Sequence, residues 1–501
     1  MLSTAVIFGC IGLGVLATAI VIFMDERSVL MVKAIFSGDN ALSGFQRTYL
    51  KVYLAAMMAD WLQGPFVYAL YESYGFSRSD NATLFVAGFG SSAIFGTFIG
   101  SLADKHGRQK FAALYCILYF VSCLTKHVNS FGMLMVGRIT GGIATSLLFS
   151  VFDAWLVSEN NSRGFDGDQL GSTFSIAIFG NSVVAIMAGQ IGQVAADAMP
   201  KTEIGGSVYL GGYCAPFDVA NILLIVCVYF IFTSWPENYG QTSSSSSDGS
   251  MMQAAKVMQD QPVVLYVGIV CSLFEASMFI FVFNWTPCLM EEGEPNPPFG
   301  HIFSGFMICC MLGSRLYAYL TQWMSLERVG MMALFLSMMC HASVILSSSV
   351  TLRFFAFLLF EACVGMYFPM MGTLKGQVVP EEIRSTVYNI YRVPLNSIVV
   401  LTLVMKFETQ LSFLITTVML GVACYAQFKI EAMRKEGGGT FQKLSTTDKA
   451  ARELEMGGIA EAAPTTVGKA ARDPAAEVTR LGREVDADVD AALAGLNEVA
   501  P

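Results

Sequence analysis

The sequence predicts an all-α membrane protein: two lobes of six helices, preceded by one extra apolar helix. Three observations carry that prediction. Of 501 residues, 54% are hydrophobic and only 14% charged, whereas a soluble domain carries about 25% charged residues. The apolar residues come in runs of about 20, enough to cross a hydrocarbon core of about 30 Å, and a helix lets such a run satisfy its own backbone. The runs Ala82–Ile99 and Phe111–Leu124 also enclose a polar stretch, Gly100-Ser-Leu-Ala-Asp104-Lys-His-Gly107-Arg108-Gln-Lys110.

That stretch is expected to be a tight loop between two membrane helices. Gly100 would let two backbones approach closely. Asp104 can serve a helix N-terminus or an arginine, and Gly107 a turn that a Cβ would resist. Lys105, Arg108 and Lys110 mark the loop as cytoplasmic by the positive-inside rule.

In chain order, 1–24 is the extra transmembrane helix. No basic region precedes it and Asp25, Glu26 and Arg27 follow it, unlike a cleaved signal peptide. A cytoplasmic segment, 25–51, leads into the N-terminal six-helix lobe, 47–235, with spans at about 49–70, 82–103, 111–126, 131–157, 171–196 and 214–235. A cytoplasmic linker, 236–261, carries the serine run 243–247. The C-terminal lobe, 262–430, has spans at about 262–289, 301–323, 329–349, 352–374, 383–405 and 409–430. The tail, 431–501, is poor in aromatics and expected to be disordered and cytoplasmic, with a short amphipathic helix over Glu484–Val499. Of 30 Lys and Arg, fifteen fall on the predicted cytoplasmic side and five outside, which supports this orientation.

The sequence holds no P-loop, no HExxH and no zinc-type cysteine pairing, so no cofactor, metal site or enzyme chemistry is expected. The basic residues sit in loops and not on one face, which argues against nucleic acid. The twelve cysteines are mostly scattered through apolar runs and read as core thiols; Cys214 and Cys288, near outer helix ends, are the two placed to pair. Asn81-Ala-Thr83 is an outer-side glycosylation sequon.

A charge at membrane depth costs roughly 2.5–3.5 kcal/mol on the insertion scale, so each one asks for a partner or a function. The first lobe offers Asp60, with Gln63 near its face, and Arg138, with Asp153 further along the same helix. The second offers Glu275, Glu361, and a helix face bearing Ser385, Asn389, Arg392 and Asn396 at offsets of four, three and four. The expected site is a central polar cavity in which Arg138 and Arg392 meet an anion and Asp60, Glu275 and Glu361 supply counter-charge or take up a coupled proton. Lys375 and Arg315 read as structural.

The Gly100–Lys110 pattern resembles the signature between the second and third helices of the major facilitator superfamily of secondary transporters. Gly137-Arg138-Ile-Thr-Gly141-Gly142 resembles the fourth-helix arginine motif of its proton-coupled members. Glu159 to Arg163 and Glu381 to Arg384 resemble its acidic-to-Arg loops, so with Gly100, Asp104, Gly107 and Arg108 these residues are expected to gate the cytoplasmic side as inter-helix latches. Ala59-Asp60-Trp61-Leu62-Gln63-Gly64-Pro65, Leu148 to Trp155, Phe274 to Pro287, Tyr367-Phe368-Pro369 and Tyr391 to Asn396 resemble the molybdate-anion transporter family within that superfamily. The resemblance implies the major facilitator fold, alternating access and uptake of the molybdate oxyanion across the plasma membrane, with uniport and proton symport both open. A carrier for a sugar or another small organic solute and a non-transporting membrane receptor or scaffold are the competing readings.

Overall fold

The computed structural model describes residues 3–24, 41–240, 254, 256–290, 295–380 and 383–436. Its helices are α1 (Thr4–Met24), α2 (Ala41–Trp61), α3 (Val67–Ser73), α4 (Arg78–Gly96), α5 (Ile99–His106), α6 (Arg108–Thr125), α7 (Phe131–Ser162), α8 (Gly167–Ala198), α9 (Ala215–Ser234), α10 (Pro262–Leu289), α11 (Phe299–Leu320), α12 (Leu326–Leu346), α13 (Val350–Val378), α14 (Arg384–Val404) and α15 (Thr409–Glu436). One small antiparallel hairpin, β1 (Thr202–Gly205) with β2 (Val208–Leu210), interrupts the all-α pattern before α9.

Among the described residues nine single helices are long and apolar enough to cross a bilayer, and ten if α4 and α5 count together. Twelve spans plus one were expected. Three of the expected spans are not among them: α2 carries Arg47, Lys51 and Asp60, α6 opens on Arg108 and Lys110, and α1 counts only as a shorter apolar helix over Thr4–Ala17. The first lobe span also begins earlier than expected, at Ala41, and breaks at Leu62–Phe66, where Pro65 removes a backbone donor. Expectations about 25–40, Glu381 and the tail beyond 436 lie outside the described residues.

The helices repeat one pattern of neighbours. In the first half α2 packs on α8 and α9, α6 on α7 and α9, and α4 on α7; in the second α10 packs on α14 and α15, α12 on α13 and α15, and α11 on α13. The crossings repeat as well. A Cβ on Gly142 of α7 would fall 2.3 Å from the Gly88 carbonyl oxygen of α4, and one on Gly365 of α13 would fall 1.8 Å from the Cys310 carbonyl oxygen of α11. Small residues let backbones touch where lipid supplies no hydrophobic drive between helices. The same device joins the halves, Gly189 of α8 against Gly300 of α11.

Between the halves, the contacts among described residues gather at the end away from Gly107. Arg78 donates to Asn284 Oδ1 (2.5 Å), Thr409 Oγ1 (2.6 Å) and the Phe407 carbonyl (3.2 Å). Gln193 Oε1 accepts from the Gly300 amide, Ser304 donates to the Ile186 carbonyl, and Phe85 and Phe89 meet Phe283 and Phe279 edge-on. Helix α1 lies against α11, with Phe8 beside His301 and Gly14 at Ile308.

At that same end, His127 Nε2 lies 3.0 Å from Asp218 and its Nδ1 2.9 Å from the Tyr209 carbonyl oxygen. Asn81 is 1% exposed, so the sequon asparagine is buried. Cys214 and Cys288 are both buried free thiols, the former beside the Tyr74 hydroxyl. Neither is paired, and each thiol is packed inside a helix end, as the core-thiol reading expects.

Two predictions follow from this packing. Gly365→Ala forces a Cβ into the Cys310 carbonyl and should cost about 1–3 kcal/mol, read as a lower melting temperature of the purified protein, while Gly171→Ala, with nothing within 4 Å, should not lower it. Burial works against charge on His127, but Asp218, Cys214 and the Tyr209 carbonyl outweigh it and raise the imidazole from 6.5 to about 10. A raised value means the pair stabilises fully below about 6.5 and fades as pH climbs through about 10, so Asp218→Asn should depress the melting temperature in acid and converge on wild type in alkali.

Candidate functional site

The stretch around Gly107 is mostly helix, where a loop was expected. Residues 100–106 belong to α5, which meets α4 at a 51° bend after Thr97, whose hydroxyl turns back on the Ile94 carbonyl. Gly100 has nothing within 4 Å of a notional Cβ, so the close approach expected there does not occur. Gly107 is the junction, with φ +113° and a Glu237 carboxylate 2.5 Å from where its Cβ would sit. Asp104 accepts from Arg108 Nε and Nη2, both at 2.8 Å; Arg108 Nη1 also donates to the Ala154 carbonyl of α7 at 3.1 Å. Glu237 accepts the Gln109 amide, and the Gly240 amide donates to the Asp104 carbonyl. The first residues of the linker, expected to be flexible, are thus strapped across this junction.

Glu159 and Arg163 form a pair within one helix, i to i+4 at 2.8 Å, with Arg163 over the Phe45 ring. The inter-helix latch expected of them is not seen, because spacing of four puts both on one face of α7. Arg384 opens α14 with its Nε buried and unpartnered.

At membrane depth the carboxylates and arginines expected to meet find other partners. Asp60, in the last turn of α2, takes the hydroxyl hydrogen of Tyr119 on α6. Gln63 is buried and donates to the Ala59 carbonyl at 3.2 Å, so it turns back on its own helix instead of sharing the face of Asp60. Arg138 donates to the Leu84 carbonyl (3.1 Å) and lies 4.4 Å from the Phe85 ring centroid, in room that Gly88 leaves. Glu275 Oε1 accepts from Tyr367 (3.1 Å) and Cys271 (3.0 Å), with Lys375 Nζ at 3.7 Å. Glu361 is buried on α13 with no hydrogen-bond partner among the described residues. None of these carboxylates therefore pairs with Arg138 or Arg392, as the counter-charge expectation required.

The face of α14 is different. At about 100° per residue, Asn389, Arg392 and Asn396 share an arc, and Arg392 stands opposite Leu401, which is 62% exposed. The seam that buries α14 runs through Tyr391 and Leu395, with Tyr391 donating to the Val264 carbonyl of α10. Asn389 and Arg392 are exposed, Asn396 is half-buried, and none of the three has a protein partner among the described residues. Lys375, on α13, reaches this neighbourhood: its Nζ lies 5.2 Å from the ring centroid of Tyr388, one turn before Arg392. Helical spacing on α14 could locate Arg392 but carried no sign that α13 brings a lysine beside Tyr388.

Two phenylalanines are exposed at matching positions of the two halves. Phe149 on α7 is 59% exposed and Phe368 on α13 is 49% exposed, and each lies equally far from the first residue of its helix. Asp153, also exposed, follows Phe149 by one turn and accepts from the Tyr49 hydroxyl at 3.4 Å. A carboxylate on that face marks it as wet and not lipid-facing.

A family profile described as sugar transporters, 12 TM, matches residues 9–359. Among characterised relatives, the molybdate-anion transporter of Xenopus tropicalis is 36% identical over 372 residues, covering 72% of this chain and 78% of the relative. That of Takifugu rubripes is 32% identical over 420 residues, covering 77% and 84%. Among solved structures, a bacterial homolog of the human lysosomal transporter Spinster, inward-facing and unoccupied, superposes with TM-score 0.61 at 13% identity over 81% of this chain and 100% of that one. The D-xylose–proton symporter gives TM-score 0.57 at 14% identity over 80% and 98%. At such identities the structures speak for the fold alone, an all-helical, multi-pass membrane fold. By its family match and its relatives, the chain belongs to the molybdate-anion transporter family of the major facilitator superfamily.

Proposed function

We propose that this protein takes up molybdate across the plasma membrane by alternating access between its two six-helix lobes. The observation that carries the reading is the unpartnered Arg392, flanked by Asn389 and Asn396 on a face of α14 turned away from its exposed apolar side. A guanidinium with free forked donors between two amides suits a tetrahedral oxyanion, and the relatives' printed name, molybdate-anion transporter, supports the choice of anion. Asp60, Arg138, Glu275 and Glu361 line the same reading as wall or proton-handling groups; Gln63, turned onto its own backbone, drops to a supporting role.

The Gly107 end is cytoplasmic in this reading, as are the linker and tail, and α1 is an extra membrane-spanning helix against α11. With the halves joined at the far end through Arg78, Gln193 and Ser304, and with Phe149, Asp153 and Arg392 exposed, the conformation corresponds to the cytoplasm-facing half of the cycle. The α5 junction at Gly107, tied by Asp104 and Arg108 to α7 and the linker, moves as one piece with the first lobe.

A carrier for a sugar or small organic solute is the second reading, favoured by the exposed rings of Phe149 and Phe368, which can stack on a sugar face, and by the description of the family profile. In cells lacking their own molybdate carriers, wild type should give saturable nanomolar molybdate uptake that persists in excess sulfate, and Arg392→Ala should cut it about tenfold or more. Uptake untouched by Arg392→Ala, with a sugar as the competing solute, would favour the second reading. Asp104→Ala should lower turnover several-fold while surface abundance stays unchanged; a receptor or scaffold would show no turnover to lose.

A further inference from the structure

We propose that Lys375 is the second cation of the oxyanion site, held at rest beside Glu275 and transferred to the anion when it binds. The inference rests on the oxyanion reading above and adds a residue from a different helix to it.

The geometry around Glu275 leaves the lysine largely unspent. Lys375 Nζ stands 3.7 Å from Glu275 Oε1, near enough for Coulomb attraction but beyond hydrogen-bond length. That oxygen is already served by the Tyr367 hydroxyl at 3.1 Å and the Cys271 thiol at 3.0 Å. When the ammonium leaves, the carboxylate keeps two donors, so neither group is stranded by the exchange.

The ammonium also lies on the correct side. It sits 5.2 Å from the Tyr388 ring centroid, and Tyr388 precedes Arg392 by one turn of α14, a spacing that stacks the two side chains about 6 Å apart at Cβ. Asn389 follows Tyr388 directly. The Lys375 side chain is 17% accessible and Arg392 is exposed, so neither cation is sealed from an entering ion. The pairing is chemically complementary: the arginine fork fixes two oxygens of a tetrahedral dianion, and the lysine supplies a mobile point charge to a third. Two cations also match the dianion's charge, which one arginine cannot. The ligand class is therefore the tetrahedral dianionic oxyanions: molybdate, tungstate and sulfate.

The alternative is that Lys375 and Glu275 merely tie α13 to α10. Binding of molybdate, tungstate and sulfate to purified full-length protein by calorimetry, with monodispersity and melting temperature checked for every variant, separates the two. Lys375→Met should weaken molybdate binding about tenfold or more, and Lys375→Arg should recover most of it. Glu275→Gln should tighten it by releasing the ammonium. The double variant, with both charges removed, should bind as weakly as Lys375→Met. Wild-type affinity in the double variant, or in Lys375→Met alone, makes the pair structural and overturns the proposal while leaving the oxyanion reading intact. If Lys375→Met does not fold, the double variant and Lys375→Arg decide. Wild type that binds none of the three anions removes the oxyanion reading and this proposal together.

Discussion

The constraint on which the rest of this structure depends is the cost of an unsolvated charge between apolar helices. Several charge-bearing groups at depth have neighbours that do not neutralise them outright: a phenol for Asp60, a carbonyl and a ring face for Arg138, and a phenol, a thiol and a loosely placed ammonium for Glu275. Such neighbours hold a charge in place at less electrostatic depth than a tight ion pair, so it stays available to something that arrives later. Glu361 and Arg392 have no such neighbour among the described residues, and of the two only Arg392 is exposed. Around it the transport reading is built.

The two halves meet that constraint with the same architecture. In each, one long helix crosses another at glycines, Gly142 over Gly88 and Gly365 over Cys310, and presents a phenylalanine and a polar residue on its free face. The chemistry is asymmetric all the same. The first half places Asp153 one turn from its exposed ring, and the second places the Lys375–Glu275 pair on the helix that carries its own.

Much of this was legible in the sequence, and the limits have a common cause. Apolar runs announced the helices, and the offsets among Asn389, Arg392 and Asn396 announced their shared face, because both are properties of one helix. What lay between helices was not legible. Nothing local says that Lys375 faces Tyr388 on another helix, that Arg78 reaches Thr409, or that Gln63 folds back on Ala59. The bend after Thr97 escaped for a different reason: the apolar run continues through it, so α5 read as part of a span and then as a loop. Glu159 and Arg163 were misjudged by motif, since their spacing already favours a bond within the helix.

Arg78 carries a consequence of its own. Its guanidinium closes the far end by donating to an amide oxygen, a hydroxyl and a carbonyl, acceptors that all lack charge. A clasp of this kind has no acid to protonate, and dissolved salt screens it far less than it screens an exposed ion pair. Its grip is accordingly less sensitive to the acidity and ionic strength of the medium it faces than an ion pair in the same place would be.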